Sequence, residues 1–429
     1  MSKDKEHILN HSLSAMKTFF QSILSISLGL LILSCETEKE SVDPGREPSK
    51  QSAAAVTSIG IAEGPITSVE IGPSGGVIAS PDDRVSVVIP AGALSATQTF
   101  SVQGITNNCP AGKGRGFRLL PHGVNFAKPA VVTFRYSQSD IEGTAPALMR
   151  IAYQSEKGIW MSPATKSLDT TARTLSVETT HFSDWAVFVT MQIDPATAFL
   201  NPGENVRLSS TYITETPDEL PYMVVGPPEA IPANLIDKWT LSGEGTLKGN
   251  QNVADYSAPL TIPAINPAAV TLILKKTVKN GSLEYKDLRL VSNIFVAPEG
   301  LSVQVDNGAW HTYTAGVNGT GGRYMVVGKD GGESASVSWK GGPSGTFYWT
   351  KSADVAFNLN KPKLTYQHIY GKNLSVSGGY VRVDQSDARW VTGTFVVQPA
   401  GWLNTATQPI SIGTASIKGV FKVKRVGQL

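Results

Sequence analysis

Beyond residue 65 the chain is written in short runs where apolar and polar residues alternate, such as VSVVIP (85–90), AVVTFRY (130–136) and TLSVETT (174–180), each bounded by Pro, Gly or Asp. An alternation of period two places every second side chain on one face of an extended strand and cannot make the apolar stripe of a helix. Proline brings no N–H to a ladder and glycine tolerates positive φ, so the 41 glycines and 26 prolines mark where strands stop and turn. The expected fold is all-β: tandem antiparallel sandwiches, then a C-terminal antiparallel sandwich or barrel, with no helix of useful length.

The one long apolar run, Phe19 to Leu33, has a different meaning. It follows Met16-Lys17, ends at the small residue Ser34, and contains Gln21 and three serines within its 15 residues. A spanning helix needs about 20 apolar residues, so the layout is that of a cleaved secretory signal. Ile32-Leu33-Ser34-Cys35 resembles the bacterial lipobox, which implies a diacylglycerol on the thiol of Cys35 and cleavage before it. Residues 2–15 are hydrophilic and fit no signal region, which makes Met16 the better start. The expected localisation is the outer membrane, lipid-anchored and displayed at the cell surface, since Glu36, Glu38 and Glu40 are similar to the acidic stretch that exports some lipoproteins to the outer leaflet.

The full chain carries a net charge of +2; removing residues 1–34 takes three lysines and two acids with it and leaves +1. That gives no electrostatic case for nucleic acid. Cys109 is the only other cysteine, so no disulfide forms within the chain without the lipidated residue, and stability must come from apolar cores.

Residues 35–65, rich in charge, Pro, Ser and Ala, read as a disordered linker. A first sandwich follows over 66–193. Gly75 to Leu94 (GGVIASPDDRVSVVIPAGAL), Pro121 to Phe134 (PHGVNFAKPAVVTF) and His181 to Phe188 (HFSDWAVF) together resemble the ZU-five domain of ankyrins, netrin receptors and tight-junction scaffolds. A second unit, 194–297, holds WTLSGEGTLKGNQNVADYSAP (239–259), which looks like the centre of bacterial immunoglobulin-like domains and implies that Trp239 plugs its core. Asn280-Gly281 between two alternating runs signals a hairpin. The last unit, 298–429, is similar at its end to the terminal domain of many small bacterial lipoproteins.

Gly72-Pro73-Ser74-Gly75-Gly76 satisfies G-x-S-x-G, but a nucleophile elbow needs a helix after the serine, and a β run stands there. His122, His181, His311 and His368 show no ligand spacing, and Asp82-Asp83 and Asp218-Glu219 match no calcium loop, so no metal and no cofactor are expected. Five of the eight tryptophans lie in the last unit. Most read as core, with Trp310 and Trp402, each near a turn, as candidates for an exposed sugar-binding face.

The sharpest signal is His181-Phe182-Ser183. Some ZU-five domains cut themselves between Phe and Ser of this sequence, and the resemblance implies the same roles here. Ser183 would attack the carbonyl of Phe182, His181 would deprotonate it, and water would hydrolyse the resulting ester. The competing reading makes all three structural at a strand entrance. The expected function is a membrane-tethered binding or scaffolding surface protein that turns over no external substrate, with self-cleavage at Phe182/Ser183 in prospect. Its partners are the membrane, through lipid on Cys35, and an unknown protein or glycan. The alternative is a glycan-binding lipoprotein of a nutrient-uptake system.

Overall fold

The computed structural model describes residues 54–425 apart from 214–221, 276, 281–282, 353 and 387–388. The signal segment 1–34, Cys35 and the linker through 53 lie outside the described residues. What is described is all-β: strands in antiparallel sheets, three single-turn 3₁₀ segments, and one closed eight-stranded barrel.

The first sandwich packs a five-stranded sheet against a seven-stranded one. Alternate residues of Val85–Ile89, Ala130–Arg135 and Thr174–Thr179 face those of Gln98–Ile105, Gly112–Leu120 and Met149–Gln154, and the interior is filled by Phe100, Phe117, Val132, Phe134, Ile151 and Trp185. Ser74 sits in the turn that joins Ala62–Ile71 to Gly76–Ala79. Its neighbour Gly75 has φ +76° and a β-carbon there would stand 2.4 Å from the carbonyl oxygen of Ile89, so the glycine serves a tight turn.

The central strand of the larger sheet, Asp184–Val189, is buried along its whole length. Trp185, Val187 and Val189 enter the sandwich core, while Ala186 and Phe188 face outward into a second cluster with Cys109, Trp160, Ile213 and Val225. Ile213 and Val225 come from beyond residue 194, and the strand Tyr222–Val224 adds itself to the edge of this same sheet beside Trp160–Pro163. Residues 54–65, expected within the linker, also join the sandwich. Val56 bridges Ile159, the carbonyl and hydroxyl of Thr57 both accept from Gln154 Nε2 at 3.0 Å, and a strand begins at Ala62. Their backbone groups find partners there, which composition alone does not reveal.

The second sandwich sets the sheet of Met191–Asp194, Asn205–Ile213, Val253–Ser257 and Thr246–Asn250 against that of Thr197–Leu200, Arg289–Val296, Ala268–Leu274 and Ile236–Ser242. Trp239 is not its core plug. It lies half-buried over Gly249 and donates its indole N–H to the carbonyl of Gln251 at 2.8 Å. Tyr256 fills the centre instead, fully buried, with its hydroxyl donating to the carbonyl of Glu244 at 2.7 Å. A phenol with one internal acceptor is buried there with no unmet hydrogen bond.

The last unit closes into the barrel because the strand Ser411–Arg425 pairs with both Gly300–Val305 and Trp390–Asn404, and Gly300–Val305 pairs on with Trp310–Thr320. Trp339, Phe357, Phe395 and Phe421 fill its interior. Phe395 lies against Gly419 on the neighbouring strand, where no side chain fits.

A candidate binding cleft beside His181, Phe182 and Ser183

The entrance to the central strand forms one wall of a cleft of about 580 Å³, whose lining includes Ile59, Arg118, His122, Tyr153, Glu156 and Ser183. A smaller hollow of about 210 Å³ lies against the same His181 and Tyr153, with Pro129, Pro163 and Tyr222 around it.

Phe182 points away from the cleft. It is buried in the sandwich core, edge-on to Phe100 at 5.4 Å and Phe126 at 5.1 Å. That anchors the residues on either side. Ser183 is fastened across both neighbouring strands: its carbonyl accepts from the N–H of Leu119 at 3.0 Å, and its hydroxyl donates to the carbonyl of Gln154. His181 closes a small loop on Thr179, donating its N–H to that hydroxyl at 3.2 Å while the hydroxyl donates to the carbonyl of His181 at 2.9 Å. The imidazole Nδ1 stands 3.3 Å from the same hydroxyl, and the ring meets Tyr153 edge-on at 4.5 Å. Burial lowers the His181 pKa, and the nearby His122 lowers it further, so the ring is neutral at pH 7.

Asp184 supplies the buried charge. It faces Arg118 directly across the ladder, and the guanidinium binds both carboxylate oxygens, Nε to Oδ1 at 2.8 Å and Nη2 to Oδ2 at 2.7 Å. His122, half-exposed, brings Nε2 to 3.5 Å from Oδ1. Arg118 Nη2 also donates to the carbonyl of Gly60 at 3.1 Å, which ties the incoming segment to the cleft rim. Two parallel N–H to oxygen bonds fix both groups in direction as well as distance.

Nothing in this arrangement poises a nucleophile. Among the described residues His181 and Ser183 share no hydrogen bond; the hydroxyl that would attack the Phe182 carbonyl is held by Gln154, and the imidazole faces Thr179. The cleft combines an aromatic wall with fixed charges of both signs at its rim, which suits binding.

The other candidates lie elsewhere. The indole N–H of Trp310 donates to the carbonyl of Pro263 at 2.9 Å, where the barrel meets the second sandwich. Trp402 lies across Gly413 on the adjacent strand and donates to the carbonyl of Thr414 at 3.2 Å. Both indoles are half-buried, with their N–H groups spent internally. No group of three or more His, Cys, Asp or Glu among the described residues is gathered where it could hold a metal ion. Arg118 and Gln154 carry no sequence signal of their own, and His122 stands in the Pro121–Phe134 stretch without any sign of its place beside Asp184. The sequence matches no family model and no curated protein.

Proposed function

We propose that the chain is an extracytoplasmic surface protein, tethered to the outer membrane by lipid on Cys35, which binds a protein partner in the cleft beside His181 and acts as its scaffold. One observation carries the reading: the polar groups lining the cleft, Arg118, Asp184, Ser183 and Gln154, are locked by internal hydrogen bonds before any partner arrives. A preformed surface loses little freedom on binding, so more of its contact energy appears as affinity. Charges of both signs beside Tyr153 and an exposed Ile59 fit a polypeptide better than a neutral sugar. Trp310 and Trp402, the candidates for a glycan platform, are both half-buried, and neither lines this cleft.

Two measurements test this. Cys35→Ala should leave the detergent phase, because acyl chains contribute about 0.8 kcal/mol per buried CH₂; unchanged partition removes the tether. Cross-linking on intact cells should give a defined set of partners that disappears in an Ile59→Arg, Glu156→Lys variant. An identical set in both proteins rules the cleft out as the binding face. The same gels report on self-cleavage. The hydrogen bonding of Ser183 favours an uncut chain, whereas two pieces split at Phe182/Ser183, absent in Ser183→Ala, would assign the triad to autoproteolysis.

A further inference from the structure

Where the barrel meets the two sandwiches a cavity of about 190 Å³ is lined from all three, with Lys113 and Glu142 from the first sandwich, Thr197 and Phe199 from the second, and Asp384 and Thr392 from the barrel. Asp384 is there because of a bulge. The strand Gly378–Ser386 pairs Val383 with Gly393 and Gln385 with Thr392, leaving Asp384 as the extra residue, re-aimed out of the ladder. Its side chain is nine-tenths buried. One carboxylate oxygen is engaged by Arg382, which also binds Glu142 across the interface, Nη2 to Oε2 at 2.6 Å. The other, Oδ2, has no hydrogen-bond partner, and neither has the hydroxyl of the buried Thr392. Buried polar atoms without partners are rare, and each asks for a cause.

Lys113 is the third unspent group. Among the described residues its ammonium donates only to the carbonyl of Glu142, at 3.5 Å. Burial lowers its pKa, against the opposing pull of Asp140, Asp194 and Glu142. The cavity wall sets Lys113 at one place and Asp384 and Glu142 at others; behind the wall Arg382 pairs with both of these acids, Asp140 is paired to Arg84 at 2.7 Å, and Asp194 acts on Lys113 as well. A bare cation would leave Lys113 unanswered, and a bare anion would leave Oδ2 of Asp384 unanswered. A molecule carrying one positive and one negative group satisfies Asp384 and Lys113 together.

We infer that this three-way junction is a binding site for a small zwitterion, an ammonium and a carboxylate on a short carbon skeleton, with the ammonium on Asp384 and Thr392 and the carboxylate on Lys113. The site is distinct from the cleft beside His181 and stands or falls separately from it. Small-molecule sites favour such junctions between units, where one ligand touches several of them.

Calorimetric titration of the full chain with glycine and with serine tests the site, with ammonium acetate and glycerol as controls. Saturable binding of a zwitterion, with neither control binding, is the expected result. Thr392→Val keeps the shape of the side chain and should weaken binding at least tenfold without lowering the melting temperature, since it removes a hydroxyl that has no partner in the free protein. Asp384→Asn should weaken binding as strongly. No saturable heat from either zwitterion at tens of millimolar, equal binding of glycerol, or a Thr392→Val protein that binds as wild type does would each overturn the site.

Discussion

Arg118 and Asp184 are opposite one another on adjacent strands yet 66 residues apart in the chain, and neither is tolerable without the other. The carboxylate of Asp184 is only 4% exposed. Arg118→Met keeps the packing of the stem but strands that charge, at a cost of about 3 kcal/mol, to be read from urea denaturation. Asp184→Asn should recover part of the loss in the double variant; equal losses in single and double variants would contradict the pairing. His181 gives a pH signature. Its folded pKa lies below the unfolded value of about 6.5, so the unfolded chain takes up the proton first and the contribution of His181 is present above that pH and lost as pH falls through it. Relative to wild type, His181→Gln should therefore flatten the decline in stability between pH 7.5 and 5.5. At this scale the His-Phe-Ser sequence was legible because three adjacent residues suffice to write it. The partners that hold it were not, because Gln154, Arg118 and Thr57 reach it only through strand order, which local sequence does not encode.

The strand elements themselves were plain wherever one face is buried, as in VSVVI of Val85–Ile89 with its alternating burial. Asp184–Val189 follows a different rule: buried on both faces, it shows a continuous apolar run, and its second covering layer comes from Ile213 and Val225 in the following unit. The hairpin signalled by Asn280-Gly281 is present as Val278–Asn280 paired with Leu283–Tyr285, but its use was not foreseeable. Asn280 is buried and its amide donates to the carbonyls of Ala147 at 3.1 Å and Met149 at 2.9 Å, so a hairpin of the second unit is fixed to the first. Arg150 donates to the same two carbonyls, so they stay partly satisfied when the amide is removed. Asn280→Ala should accordingly cost about 1 kcal/mol and raise hydrogen exchange in strand Met149–Gln154; protection unchanged there would separate the hairpin from the first sandwich. The tryptophan expected at the second core failed for a local reason. Gly249 leaves room on the outer face where the indole lies, and Tyr256 took the interior.

Across the molecule the two sandwiches share apolar residues, with Ala147 and Leu148 of the first packed into the core of the second and Tyr285 touching both. The barrel is joined to them by polar contacts instead, Arg382 to Glu142, Lys422 to the carbonyl of Phe199 at 3.4 Å, and Trp310 to Pro263. A fragment from Glu299 to Leu429 should therefore be soluble and unfold in one cooperative step, because its core and its strand closure are its own. A fragment of 194–297 alone should not, having lost the side chains that finish its core. An unfolded barrel fragment would show that the polar junction is a condition of folding. Closure pairs both margins of the eight barrel strands, and the free margins among the described residues include those of the sandwiches and of Gly345–Tyr348, which branches from the barrel through Gly378–Ser386. At one margin of the larger sheet, Ala62–Ile71, the pairing slips between Glu63 and Ile66 around Gly64 and Pro65, and Glu70 is exposed. A margin so broken offers a neighbouring copy no continuous row of donors and acceptors, which works against strand-to-strand polymerisation of copies at that edge.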